Sequence, residues 1–447
     1  MKRTFIYSVT LLGLFLFSAC DNTPLEPSIL PEGTPAPMPE IGNELWVEPV
    51  TVTIRTDVPN DAYYKDVFLD GGLYLTSRHI LPACDSFHFS QEYFNGNSSA
   101  ADSLRQMEVF AGDELDHNGI LLYPDGEPRF RVFYSCGGDS RNHGRSLKAP
   151  GRNAVRSFNY AGGSYIGSCA GAFLAAAKRD GSYMPNYYGI WPGTTSGSGL
   201  SKSATGMFVD EGSPLLDYFD FGGDHYIDSV RHNGGCYNKD LYPGTEVLAR
   251  YDKPGLKMHE QASIWAWKGS PYYGRVICCG SHPEEVLAGE RMHLMASMIY
   301  YAIDGRGIAK AKAILGNGET YTADKDSRDN DPAHARIGDG QCHHYVAGIP
   351  KGAKNVRIRL QYTGDYDIRL LLKKDSFAFE EVADYKDVRA ITTKELSFES
   401  LGAGTWYIGV YNATRAVVSD GANGLCEYPG QSELLNGIAY SVSISWE

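Results

Sequence analysis

The chain has 447 residues, 43% of them hydrophobic, which is enough for two or three domains with sizeable cores. Its formal net charge of −13 argues against nucleic acid as a partner, because phosphate binding needs a basic surface. Removing a leader that holds Lys2 and Arg3 and no acid takes the mature chain from −13 to −15, which strengthens that exclusion.

Lys2 and Arg3 precede a mostly apolar run from Thr4 to Phe17, and the run ends in Leu16-Phe17-Ser18-Ala19-Cys20. It is short for a membrane span, and its small-residue end reads as a lipoprotein signal peptide over residues 1–19 with Cys20 as the lipidated residue. An uncleaved anchor is the competing reading. Residues 20–44, rich in Pro and Glu, read as an extended tether. The expected location is therefore the cell envelope, facing the periplasm or the exterior, held to a bacterial membrane through lipid on Cys20.

From residue 45 to 305 strands alternate with helices, which predicts an α/β domain with a mostly parallel sheet and site loops at the carboxyl ends of strands. Leu45–Ile54 has strand character, Asp66–Gly72 reads as a buried strand ending in a Gly turn, and Leu81–Tyr93 as a helix. A strand over Arg129–Tyr134 leads into Cys136-Gly137-Gly138, and a helix over Ser146–Tyr160 leads into Gly162-Gly163-Ser164-Tyr165-Ile166-Gly167-Ser168-Cys169-Ala170-Gly171-Ala172. Gly-x-Cys-x-Gly between an apolar run and Phe173-Leu174-Ala175 is the pattern of a nucleophile elbow, where a strand turns sharply into a helix and leaves a thiol at the helix N-terminus. The same residues also suit a small-residue packing turn around a buried cysteine.

Met184–Ser203, rich in Gly, Ser, Pro and Tyr, reads as a long loop, either a surface insertion or a substrate lid. Arg231, His232 and Asn233 stand before Gly234-Gly235 and are candidate substrate-binding residues, with an ordinary polar hairpin as the alternative. An apolar strand then ends in Cys279-Gly280-Ser281-His282-Pro283-Glu284-Glu285. A thiol nucleophile needs a base and the base needs an orienting acid, and His282 and Glu284 are the right types, with His232 a rival for the base. Ser281-x-x-Glu284 also fits a capping box for a helix predicted over Val286–Ala302.

At Asp304-Gly305-Arg306-Gly307 the pattern changes, and residues 308–447 show period-two alternation in stretches such as Val356–Leu360 and Ala439–Ile444, which predicts an antiparallel β-sandwich. Asp324–Asp331 is acidic enough to suggest Ca²⁺ but lacks the Gly and terminal Glu of an EF-hand loop, so a solvated loop is preferred.

Nine cysteines are present, eight after Cys20, and setting Cys169 aside as a nucleophile leaves an odd number to pair. Cys342 and Cys426 are expected to pair with each other. No spacing suits a structural zinc, and neither metal nor cofactor is expected.

Gly-x-Cys-x-Gly followed by His-Pro-Glu resembles the class I glutamine amidotransferase-like fold, and Tyr165-Ile166-Gly167-Ser168-Cys169-Ala170-Gly171-Ala172-Phe173-Leu174-Ala175 is similar to its biotin–protein ligase N-terminal domain family. The resemblance covers roughly residues 60 to 305. It implies Cys169 as nucleophile, His282 as base and Glu284 as its orienter. It also implies a Gly-Gly loop opposite the cysteine, which makes Gly137 a substrate-binding residue and the backbone N–H groups of Gly138 and Ala170 the oxyanion hole. Cys136 stands where a proline is commoner, and this places it for a disulfide with Cys169 that would silence the site. Gly404-Thr405-Trp406-Tyr407-Ile408-Gly409-Val410 and the closing strand resemble the bacterial pre-peptidase C-terminal domain, a binding or stabilising module.

The expected activity is a cysteine-dependent amidohydrolase or peptidase-like hydrolase that acts on a small amide or peptide-like substrate through a thioacyl intermediate. The alternative is a non-catalytic binding lipoprotein that retains the pocket.

Overall fold

The computed structural model describes residue 107 and residues 110–447, apart from 115, 120, 130, 136, 286–288, 308–309, 417–418, 421–425 and 428–431, together with four short strands between residues 52 and 82. The lipobox, the tether, Cys20, Cys84 and Cys136 lie outside the described residues, as does the side chain of Cys426, so the Cys342–Cys426 and Cys136–Cys169 pairings fall there too.

The four early strands are β1 (Val52–Ile54), β2 (Val67–Leu69), β3 (Leu73–Leu75) and β4 (Ile80–Pro82), paired β1 with β2 and β3 with β4. The chain continues as β5 (Val132–Ser135), α1 (Ser140–Ser146), α2 (Lys148–Tyr160), β6 (Ser164–Ser168), α3 (Ala170–Ala175), β7 (Ala176–Arg179), β8 (Ser182–Tyr183), β9 (Trp191–Gly197) and β10 (Ser203–Val209). Then follow β11 (Tyr226–His232), β12 (Cys236–Tyr237), β13 (Glu246–Asp252), β14 (Ala262–Trp267), β15 (Val276–Cys279) and α4 (Glu290–Asp304). A seven-stranded sheet runs β11-β10-β13-β14-β15-β6-β5, and a four-stranded sheet runs β12-β9-β7-β8.

Parallel pairing in the larger sheet is concentrated where the two motifs lie: β6 sits between β5 and β15, parallel to both. Beyond β15 the sheet continues with antiparallel strands. β5, β6 and β15 are buried along their whole length, as strands covered on both faces require. In α2 the buried positions Gly151, Ala154, Val155, Phe158 and Asn159 form one helical stripe. Phe158 and Tyr165 both meet Phe133 edge-on, at 6.2 and 5.5 Å. Asn159 donates to the carbonyls of Gly163 and Gly274, which ties the end of α2 to the entries of β6 and β15.

Several local expectations shift. The helix expected over Ser146–Tyr160 divides into α1 and α2 around Leu147, with Lys148 at φ 51°. The helix expected over Val286–Ala302 is α4, which begins later, after Gly289 at φ 57°. Of the helix expected over Leu81–Tyr93, Leu81 and Pro82 belong to β4, and the remainder is not described. The loop expected over Met184–Ser203 contains β9, whose residues alternate between buried and half-buried. Trp191 there is fully buried, donates to Thr245 Oγ1 at 3.0 Å, and folds over Gly193, where a Cβ would lie 2.1 Å from its ring. A composition rich in Gly and Ser therefore marks close packing at this place.

After α4 two sheets face each other. One is ordered Ala313–Ile314, Cys342–Ile349, Gly404–Asn412, Ile368–Lys374, Tyr385–Asp387, and the other Thr320–Ala323, Tyr440–Ser445, Lys354–Tyr362, Thr393–Ser400. Val356, Ile358, Leu360 and Tyr362 point inward and their neighbours outward, the period-two pattern of a sandwich. The two main hydrophobic cores share no residue: one spans Phe110 to Ile303 and the other Leu315 to Ile444.

The segment before β5 joins them. Asp125 is fully enclosed and meets Lys312 Nζ, Gln341 Nε2 at 2.8 Å and His343 Nε2 at 3.3 Å, while Arg129 pairs with Asp339. The Asp324–Asp331 segment forms a short capped turn in which Asp326 meets His117 Nδ1 at 2.9 Å. Among the described residues no cluster of His, Cys, Asp and Glu has the grouping of a metal site.

Candidate active site

Cys169 follows β6 and opens α3 with φ 46° and ψ −100°, a conformation that a residue with a Cβ rarely adopts. The flanking glycines make the turn possible. A Cβ on Gly167 would lie 2.4 Å from the Gly171 carbonyl carbon, and one on Gly171 would lie 2.0 Å from the Ser135 oxygen. Tyr165 donates to the Gly171 carbonyl at 2.8 Å and pins the turn from below, while the Cys169 N–H donates to Cys279 O at 2.8 Å. The elbow on β6 is thereby bonded to the strand that delivers His282.

His282 Nδ1 and Glu284 Oε1 are 3.0 Å apart. Both side chains are nearly sealed, at 3% and 2% residue exposure, and Cys169 is 4% exposed. Burial pulls the His282 pKa down, but the charge of Glu284, then interaction with Cys169 and the hydrogen bond to Glu284, outweigh it and leave the ring raised to about 11. The imidazole therefore carries its proton at neutral pH, with the Glu284 carboxylate as its counter-charge.

Gly137 packs flat on His282: a Cβ there would be 2.2 Å from ring Cε1 and 2.9 Å from Nδ1. Gly138 takes φ 135°, and Asp139 caps α1 by accepting from the N–H groups of Arg141 and Asn142. The Gly-Gly loop thus reaches the His282 ring itself. Ala170 is the first residue of α3 and buried.

The Arg231–Asn233 group divides. The Arg231 carbonyl accepts the His282 N–H at 2.8 Å, so its backbone positions the loop that carries His282. His232 is fully buried, with Nε2 2.7 Å from Ser198 Oγ and Nδ1 2.9 Å from Ser281 Oγ. Burial first, then the charges of His282 and Lys253, push its pKa down to about 4. Through Nδ1 the ring is tied to Ser281, the residue before His282. Asn233 spends its side-chain oxygen on Ser201 Oγ and the Lys202 N–H, and its carbonyl accepts from Cys169 Sγ at 3.6 Å. Arg231 and His232 are the last residues of β11, which pairs antiparallel with β10.

Two contacts escape sequence reading. Ser168 Oγ donates to Glu284 Oε1 at 2.8 Å, and Tyr134 OH lies 2.8 Å from Ser168 Oγ. Strand parity hints at them, since Tyr134 pairs with Ile166 and Ile166 shares a face with Ser168. Cys236, Cys278 and Cys279 are buried thiols around the same strands, with burial pushing each pKa up.

No family model and no curated protein sequence matches the chain. Among solved structures it is similar to a glutamine amidotransferase at 16% identity, covering 46% of this chain and 95% of that one with a TM-score of 0.29. It is similar to PurLQS from Thermotoga maritima at 17% identity, covering 39% and 80% with a TM-score of 0.28. Over 31% of this chain and 98% of that one it is similar to the pre-peptidase C-terminal domain of collagenase from Bacillus anthracis, at 15% identity and a TM-score of 0.20.

Proposed function

We propose that this chain is an exported, lipid-anchored cysteine hydrolase that cleaves a small amide or peptide-like substrate through a thioacyl intermediate. The observation that carries the reading is the strained Cys169 elbow set beside a buried His282–Glu284 pair. In this reading residues 45–305 form the catalytic unit, 308–447 a binding or stabilising module with a Cys342–Cys426 bridge, and 20–44 a tether from lipid on Cys20.

The thiolate attacks the substrate carbonyl carbon, and the C=O electron pair moves onto oxygen, where the N–H groups of Gly138 and Ala170 receive it. As the C–N bond breaks, the His282 proton passes to the leaving nitrogen, giving an amine and a thioester on Cys169. Water then adds to the thioester and gives its proton to His282, the C–S bond breaks, and the acid leaves with the Cys169 thiolate and the protonated His282 restored. Glu284 holds the ring in one orientation and balances its charge in both steps.

The test is iodoacetamide labelling of Cys169. It should be fast at neutral pH and should slow by about 100-fold in His282→Ala. Equal, slow labelling in both proteins would favour the second reading, a non-catalytic binding lipoprotein, which the depth of Cys169 and its contact with the Asn233 carbonyl support. Cys20→Ala should move the protein from the membrane fraction to the soluble one.

A further inference from the structure

We infer that Ser168 and Tyr134 are positioning residues that extend the Cys169–His282–Glu284 set into a directed chain of hydrogen bonds, an inference that rests on the hydrolase reading above for its catalytic meaning. The order of protons follows from the chemistry of the groups. A carboxylate only accepts, so Ser168 Oγ–H points at Glu284 Oε1 over 2.8 Å. Having one proton to give, Ser168 must accept from Tyr134 O–H, 2.8 Å away. Glu284 Oε1 thus receives Ser168 from one side and His282 Nδ1–H from the other.

The other carboxylate oxygen makes this arrangement consequential. Glu284 Oε2 is buried and has no hydrogen-bond partner among the described residues. The carboxylate is therefore oriented by two contacts on a single oxygen. Without Ser168, only the ring that it is meant to orient would hold it. Ser168 is also the residue before the nucleophile, and its partner across the sheet is Cys279, at the end of the strand that leads to His282. One short side chain links the elbow to the orienting acid, and Tyr134 on β5 fixes the rotamer of that side chain. Serine suits the place because a fully buried hydroxyl is costly if left unbonded, and here both its donor and an acceptor site are used.

The groups that face this assembly are Cys169 on the elbow, Cys279 on β15, His232 on β11 and, through Ser281, Tyr251 on β13. None of them donates to Glu284 Oε2.

Ser168→Ala and Tyr134→Phe, each checked for an unchanged thermal melt, are read in two ways. The first is the pH profile of Cys169 alkylation by iodoacetamide. Both variants should lose about 10-fold in rate at neutral pH and shift the rising limb to higher pH, Tyr134→Phe less than Ser168→Ala. The second is the proton NMR signal of His282 Nδ1–H, which should stand far downfield in the wild-type protein and move upfield or broaden in both variants. Tyr134→Phe keeps the ring and its packing, so it carries the test if the serine variant does not fold. A wild-type pH limb and an unmoved Nδ1–H signal in the variants would overturn the inference. Slow wild-type labelling that is insensitive to His282→Ala, together with an Nδ1–H signal that still responds to Ser168→Ala, would remove the hydrolase reading and leave the hydrogen-bonded chain standing.

Discussion

Gly137 lies against the His282 ring so closely that an added Cβ would come within 2.2 Å of Cε1. The loop expected to complete an oxyanion hole is therefore also a wall against the His282 ring. The ring is 3% exposed and bonded to Glu284 through Nδ1, so an added methyl would displace it from that bond.

Gly137→Ala should consequently slow Cys169 alkylation by about 100-fold, the penalty of a misplacement near 1 Å, while the protein stays folded. Labelling kinetics with a circular dichroism melt decide it. A variant that labels at the wild-type rate would mean that the ring sits elsewhere.

The His282–Glu284 pair should also show in stability. The folded pKa of His282 is raised to about 11 from an ordinary 6.5. Its stabilisation is thus complete below the unfolded value and is lost as pH rises towards the folded one. Thermal melts from pH 7 to 11 should fall in the wild-type protein and fall less in Glu284→Gln, which lacks the carboxylate charge.

The acid side has the opposite sign. Burial first, then neighbouring positive charge, takes His232 and His343 from 6.5 down to about 4, and burial alone takes His143 there. Each stays neutral in the folded protein while the unfolded chain takes up a proton, so stability present above pH 6.5 declines as pH falls towards 4. His232→Gln can still bond Ser198 and Ser281 and should flatten that decline by an amount on the order of 3 kcal/mol at pH 4. Chemical denaturation at pH 7 and pH 4 measures it.

The Asp125–Lys312 pair bridges the segment before β5 and the sandwich, where Asp125 also meets Gln341 and His343. Asp125→Asn leaves buried Lys312 with only the more distant Glu127 carboxylate, 3.8 Å away, and should cost about 3 kcal/mol. Differential scanning calorimetry should show either a lower single transition or the α/β and sandwich parts melting separately. An unchanged thermogram would mean that the pair contributes nothing to their docking.

Much of this protein was written locally. Gly167-Ser168-Cys169-Ala170-Gly171 announces a tight strand-to-helix turn, because only glycines fit where backbones approach to about two ångströms of an added Cβ. His282 and Glu284, two residues apart after an apolar strand, disclose their pairing for the same reason: the contact is short in sequence. The alternation from Val356 to Tyr362 likewise reveals a sandwich strand. What the tertiary structure alone decided lies between segments far apart in the chain. His232 and His282 are alike in composition, and only packing made one a neutral brace between two serines and the other a charged ring on a carboxylate. The strand hidden in Met184–Ser203 depends on Trp191 folding over Gly193 and reaching Thr245. The Ser168 bridge to Glu284 spans 116 positions, and no periodicity encodes which buried carboxylate a buried hydroxyl will meet.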